Sequence, residues 1–219
     1  MSPSIANMFP EEPLTLSAEE VLRKLGRGQF SSTWLASDSL AETLTYHAIK
    51  ILTAHATKGH HDGDLFEFEA MQTITESVKS SVLPRMRDHF ELMADTFVCS
   101  FMHSAPSKLL DPPKAKVIIA EVVEALVKLH AANIIHTDVK PDNVLFWEGT
   151  DPKSIKTFLD ESPQVPDGEF ELNGVRYPIM RSQPIPHPFK WNDPGITVEL
   201  YSVCLTDFGS GTDSLFFSI

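Results

Sequence analysis

Residues 136–146 read HTDVKPDNVLF. In this stretch a histidine, two aspartates, a lysine and an asparagine gather around Pro141, and the chain then turns to Val144-Leu145-Phe146. Proline beside Asp and Asn is turn chemistry. The apolar run that follows anchors the turn against a core, so a short segment holds Asp138, Lys140 and Asn143 at the core's edge.

Working outward toward the N-terminus, Ile119, Val122, Val123, Leu126, Leu129 and His130 recur at helical spacing behind Pro112-Pro113. This predicts a helix leading into the loop. Earlier the period changes to two. VLRKLGRGQFSSTWLASD alternates around Gly26 and Gly28, which predicts a strand from about Val21, a tight turn and a second strand. Ser17 with Glu20 has the form of a helix capping box, and the strand reading is preferred over it. TYHAIKIL, residues 45–52, reads as a further strand. DLFEFEAMQTITESV, opened by His61-Asp62-Gly63, reads as a helix with acidic residues in its first turn, where the dipole favours them. HFELMADTFVCSFM divides at Asp95 into a candidate hairpin.

On the other side of the loop, residues 148–198 hold most of the later prolines and have no clear periodicity, which predicts an insertion or a functional loop. The chain closes with LTDFGSGTDSLFFSI. Sheet first and helix later make the expected fold class α+β.

The composition narrows the function. With 42% apolar residues in 219, the chain can bury a core. Thirty acidic against 18 basic residues, a formal charge of -12, argue against direct binding to a nucleic-acid backbone, which needs clustered Lys and Arg. Cys99 and Cys204 lie far apart without metal-type spacing and read as thiols of a reducing compartment. MSPSIANMFPEEP has neither a basic nor an apolar leader region, and no run approaches the roughly 18 apolar residues of a membrane span. A protein of the cytoplasm or nucleus, without membrane partners, is expected. His60, His61, Asp62 and Asp64 lack the i, i+4 histidine pair of a metal helix and read as a solvated loop. Pro184-Ile-Pro186-His-Pro188 reads as plain extended loop in preference to a polyproline ligand.

HTDVKPDN matches the catalytic-loop pattern H-x-D-x-x-x-x-N. A Gly-rich turn at 26–31, Ala-Ile-Lys ending at Lys50, a helix with Glu67, this loop, and Asp207-Phe208-Gly209 follow in one order. In that order the chain resembles the eukaryotic protein kinases over about residues 20–210. Thr137 where most kinases carry Arg, Ser31 in place of a third glycine, and the long insertion before Asp-Phe-Gly make it similar to SR-protein kinases, with GEFELNGVRYPIMRSQPIPHPFKWND looking fungal in type.

The resemblance implies a two-lobed fold: a flexible arm over 1–19, a β-rich lobe over 20–102, and a partial helical lobe over 103–219 carrying the insertion. It implies ATP and Mg²⁺ as cofactors, and a protein substrate of the arginine/serine-rich class. Leu25, Gly26, Gly28, Ser31, Ala48 and Lys50 would contact the nucleotide, the glycines leaving room for backbone N–H groups to approach phosphate. Glu67, preferred over Glu69, would hold Lys50. Asp138 would accept the substrate hydroxyl proton, Lys140 would face the transferred phosphate, and Asn143 and Asp207 would bind magnesium through oxygen.

Thr33 stands where a valine usually closes over adenine, which weakens that contact by about 1 kcal/mol. Loss of Arg at 137 removes the usual ligand for an activation-loop phosphate. The segment HSAPSKLLDPP is short for a hinge, with Met102 and His103 as its candidates. The chain ends at Ile219 without the activation segment or an Ala-Pro-Glu-like anchor, and its tail GTDSLFFSI has the look of intron read-through or a frameshift. An aggregation-prone or partly molten protein is expected, and the second functional reading is a non-catalytic fragment that binds nucleotide or a partner.

Overall fold

Strand-forming residues alternate in several segments of the first hundred positions, and the backbone follows them into a six-stranded sheet of order β1-β2-β3-β4-β6-β5. The strands are β1 (Thr15–Leu16), β2 (Glu19–Arg27), β3 (Ser31–Asp38), β4 (Tyr46–Leu52), β5 (Phe90–Glu91) and β6 (Asp95–Val98), all antiparallel neighbours. The structure is a computed structural model and describes residues 15–16, 19–38, 43–78, 80–86, 90–91, 95–98, 112–147, 151–185, 202–208 and 212–213. Most of the expected arm, Cys99, Met102, His103, Gly209 and Pro186-His-Pro188 lie outside these residues. Where Ser17 and Glu20 could have capped a helix, β1 and β2 instead form a short hairpin with Thr15 opposite Glu20.

Two helices cross from the sheet, where one was expected. α1 (Ala54–His61) is capped by the Thr53 hydroxyl, which accepts from Ala56 N at 3.2 Å, so His60 and His61 close a helix and are not loop. α2 (Glu67–Ser77) begins three residues later than the predicted Asp64 start and buries Glu67, Ala70, Met71 and Ile74.

α3 (Pro112–Ala131) is the predicted long helix, but its buried side is not the one the spacing suggested. Ala125 and Leu129 are fully buried, whereas Ile119 and Val123 are exposed. The reason is local: β11 (Ser202–Leu205) and β7 (Ile134–Ile135) pack along the Ala125–Leu129 side, and Glu121 accepts the Val203 N–H there. Burial pushes the Glu121 carboxyl up despite that bond.

The catalytic-type loop ends in a 3₁₀ turn at Pro141–Asn143 and runs into β8 (Val144–Trp147), which pairs with β11. β12 (Thr212–Asp213) pairs with β7. A core of Ala70, Met71, Ile74, Ala125, Leu129 and Leu205 ties α2, α3 and β11 together, and Phe208 is sealed inside it. Among the described residues no helix is long and apolar enough to cross a membrane.

Within the stretch read as an insertion or a functional loop without clear periodicity, residues 151–185 form a helix and a hairpin. α4 (Pro152–Glu161) starts at Asp151, whose carboxylate accepts from Lys153 N at 3.2 Å and Ser154 N at 3.1 Å. A hairpin of β9 (Pro166–Leu172) and β10 (Val175–Met180) follows. It turns at Asn173 and Gly174, both at positive φ (53° and 82°), the geometry that Asn-Gly favours in a two-residue turn. Ile155, Phe158 and Leu159, the half-covered residues of α4, lie at the i, i+3, i+4 spacing of one helix side, a signal confined to three residues in a stretch that is otherwise exposed.

Candidate active site

The site is assembled from the sheet outward. Side chains two apart on a strand share a face, so Ala48 and Lys50 of β4 point the same way, with Leu35 and Thr33 of β3 directly opposite them. Lys50 is buried on this face, and its ammonium bonds Glu67 of α2 and Asp207 Oδ1, the latter at 3.1 Å. Glu69 pairs instead with His60 at 3.7 Å. Burial pulls the Lys50 ammonium down, but the Glu67 and Asp207 carboxylates outweigh it and hold the group above its ordinary value. Burial pushes the Glu67 carboxyl up while Lys50 draws it back, so the pair acts as one buried ionic unit.

Asp207 reaches Lys50 from a backbone set by its neighbours. Phe208 is locked in the core, Leu205 N donates to Val82 O at 3.1 Å, and Thr206 N donates to Asn143 O at 2.8 Å. Between these anchors Asp207 takes φ 69°, unusual for a residue with a Cβ, and leaves 45% of its side chain exposed. Thr137 at φ 61° is a second such residue, and backbone strain of this kind gathers at functional sites.

His136 fixes the loop from beneath. Its Nε2 faces Thr206 O at 3.0 Å and its ring lies 4.9 Å from that of Phe208. Because a carbonyl only accepts, Nε2 donates to Thr206 O, and burial holds the His136 imidazole below its ordinary value against the pull of the Thr206 carbonyl and of Asp207 and Asp138.

Above it, Lys140 Nζ donates to Asp138 Oδ2 at 2.6 Å, and buried Asn143 donates from Nδ2 to Asp138 O at 2.9 Å and Oδ2 at 3.2 Å. The Lys140 hydrogen bond holds the Asp138 carboxyl below the usual carboxylate range. Asp138, Lys140, Asn143, Asp207, Lys50 and Glu67 thus form one connected polar chain, linked by the Asn143 to Thr206 backbone bond.

The glycine turn closes with Gly28 N donating to Ser31 O at 2.8 Å. A Cβ at Gly26 would meet nothing, and at Gly28 only Ser31 O at 3.8 Å, so nothing in the chain's own packing calls for glycine at either position. Leu25 and Ala48 sit apart from the polar chain, buried with Leu35 beneath Ile155, Leu159 and Ile185 of the insertion. Sequence reasoning did not find this cover, nor Arg23, which lies fully buried under Phe158. A tie between positions so far apart leaves no local signal.

A sheet that carries a buried lysine–glutamate pair, joined through Asp207 to a polar loop and an Asp-Phe turn, is the arrangement of a phosphotransferase-type two-lobed fold. The protein kinase domain model matches residues 19–157, and the chain belongs to that family. It is similar to serine/threonine-protein kinase RHS3 of Arabidopsis thaliana, 28% identical over 144 residues, 60% of this chain and 28% of that protein. Serine/threonine-protein kinase AGC1-7, also of Arabidopsis thaliana, is 28% identical over 144 residues, 60% of this chain and 25% of that protein. Protein kinase PVPK-1 of Phaseolus vulgaris is 30% identical over 140 residues, 58% of this chain and 22% of that protein. The chain spans about a quarter of the length of these curated relatives. ATP and a divalent metal are general to the family.

Proposed function

We propose that this chain carries the catalytic apparatus of a serine/threonine protein kinase, transferring the γ-phosphoryl group of ATP to a protein hydroxyl. The observation that carries the reading is the single polar chain from Glu67 through Lys50 and Asp207 to Asn143 and Asp138, drawn from separate elements of the sheet, α2 and the loop.

The residues fit the group at its phosphate and metal end. Asn143 and Asp207 offer oxygen donors suited to a hard cation, and the open space over Gly26 and Gly28 suits close approach of phosphate to backbone N–H. Bound ATP with its metal supplies the phosphoryl group and neutralises its charge. Lys50, held charged and fixed by Glu67, orients the phosphates. Asp138, kept ionised by Lys140, hydrogen-bonds the substrate hydroxyl and takes its proton at Oδ1, the carboxylate oxygen that Lys140 and Asn143 do not hold. Lys140 would face the transferred phosphoryl group and stabilise its charge. A lysine there accords with serine and threonine as acceptors.

The narrower likeness to SR-protein kinases belongs to this proposal as its substrate clause. It rests on Thr137, Ser31 and the insertion, and draws no support from the relatives above. The test is transfer of labelled phosphate from Mg-ATP to an arginine/serine repeat peptide and to a serine peptide without arginine. Transfer that falls by about 10²–10⁴ in Asp138→Asn, with nucleotide binding kept, supports catalysis. Preference for the repeat peptide supports the substrate clause, and equal use of both removes it. Binding without transfer in the wild type favours the non-catalytic reading.

A further inference from the structure

The insertion does not merely hang from the molecule. α4 places Ile155, Phe158 and Leu159 on one side, at the i, i+3, i+4 spacing that makes a stripe, and these are its covered residues. With Ile185 the stripe closes over Leu25, Leu35 and Ala48, all three buried to within a few per cent. Ala48 shares its face with Lys50, two residues on, so the covered patch is the apolar continuation of the phosphate-binding face.

A polar latch holds the module in register. Lys24 N donates to Gln164 Oε1 at 2.6 Å, and Gln183 N donates to Lys24 O at 2.8 Å, so both backbone groups of one β2 residue are taken by the insertion. Gln164 Nε2 in turn donates to Gln183 Oε1 at 2.8 Å. Docking also has a component that opposes it. Arg23 is buried with its guanidinium carbon 4.7 Å from the Phe158 ring centroid, and its Nε and both terminal nitrogens find no hydrogen-bond partner among the described residues. Exposure of that charge to water would favour release of α4, so Arg23 weighs against docking.

We propose that residues 151–185 are an intramolecular competitor of the nucleotide: the Ile155–Leu159–Ile185 surface fills the apolar slot over Leu25 and Ala48 that a purine ring needs, so docking and nucleotide binding exclude each other. The inference rests on the nucleotide reading above. It makes the insertion a gate on the cleft of its own chain, opened by anything that binds the lifted module or outcompetes it.

The test is titration of the full chain with a fluorescent ATP analogue and magnesium, comparing wild type with Ile155→Asp/Leu159→Asp. If the docked state dominates, freeing the slot tightens apparent binding by about tenfold or more, since affinity scales with the fraction of competent molecules. Equal or weaker binding by the folded variant overturns the competition while leaving the nucleotide reading intact. Absence of binding by both proteins overturns both. A second measurement needs no variant: hydrogen exchange of wild type at saturating analogue. The Lys24 and Gln183 amides lose protection if the module leaves, and unchanged or increased protection refutes the gate.

Discussion

Lys50 is a charge placed where water cannot reach it, with Glu67 buried beside it. Removing one member of such a pair is worse than removing both. Glu67→Ala is therefore expected to lower stability by about 3 kcal/mol in urea denaturation, and Glu67→Gln, which keeps an acceptor for the ammonium, by clearly less. Arg23 is the reverse case, a buried charge with no hydrogen-bond partner among the described residues. Arg23→Met keeps the bulk against Phe158 and is expected to raise stability by about 1–3 kcal/mol. His136 supplies the pH dependence. Burial lowers its folded-state pKa below the ordinary 6.5, so below that pH the unfolded chain binds more protons than the folded one. Stability should be unaffected by this group above about pH 6.5 and fall as the pH drops toward the folded value. The loss in urea midpoint between pH 7.5 and 5.5 should accordingly be larger in wild type than in His136→Gln. Lys50, Asp138, Asn143 and Asp207 were legible in the sequence because their order and spacing repeat a known pattern. Arg23 was not, since an arginine in an alternating strand reads as solvent-facing until a helix more than a hundred positions later covers it.

At the level of elements, the sheet and α3 follow from periodicity, yet periodicity misplaced the covered side of α3. Ile119, Val122, Val123, Leu126 and Leu129 fall on one arc of about 120° at 3.6 residues per turn, and the covered side is turned from the centre of that arc toward Leu129 because β11 lies along Ala125. The insertion fails differently. Its local signals were present: Asp151-Pro152 is a helix start, and Asn173-Gly174 is a strong hairpin signal. Exposed elements of this kind are specified by their caps and turns because they have little core to specify them. Their stability should depend on those few residues. In Gly174→Ala the new Cβ meets no atom, so only the backbone at φ 82° opposes it. A penalty of about 1–2 kcal/mol is expected from left-handed backbone alone, confined to the hairpin. Faster hydrogen exchange at Leu172 and Val175 with the rest of the map unchanged would bear this out, and a global shift would mean that the hairpin is integral to the fold.

For the whole molecule, two surface properties oppose each other. The net charge of -12 keeps copies apart at low ionic strength. Against it, Ile119, Val123 and Val127 form a stripe along α3 at i, i+4 and i+8, exposed by 60%, 51% and 62%. Apolar side chains repeated at that spacing make a contiguous strip, which attracts its like or a partner. Salt weakens only the first of these forces, because the Debye length falls from about 10 Å at 0.1 M to about 3 Å at 1 M, while apolar contact persists. Self-association is therefore expected to grow as salt is added, the opposite of an assembly held by ion pairs. Ile119→Lys/Val123→Glu/Val127→Lys removes the strip, puts better helix formers in place of β-branched residues, and adds an i, i+4 pair of opposite charges on each side. Sedimentation velocity at low and high salt should find the triple variant monomeric in both and the wild type increasingly associated in the second. The stability of the variant should stay within the roughly ±0.5 kcal/mol typical of surface changes. A variant that associates as the wild type does would show that the strip is not the adhesive surface.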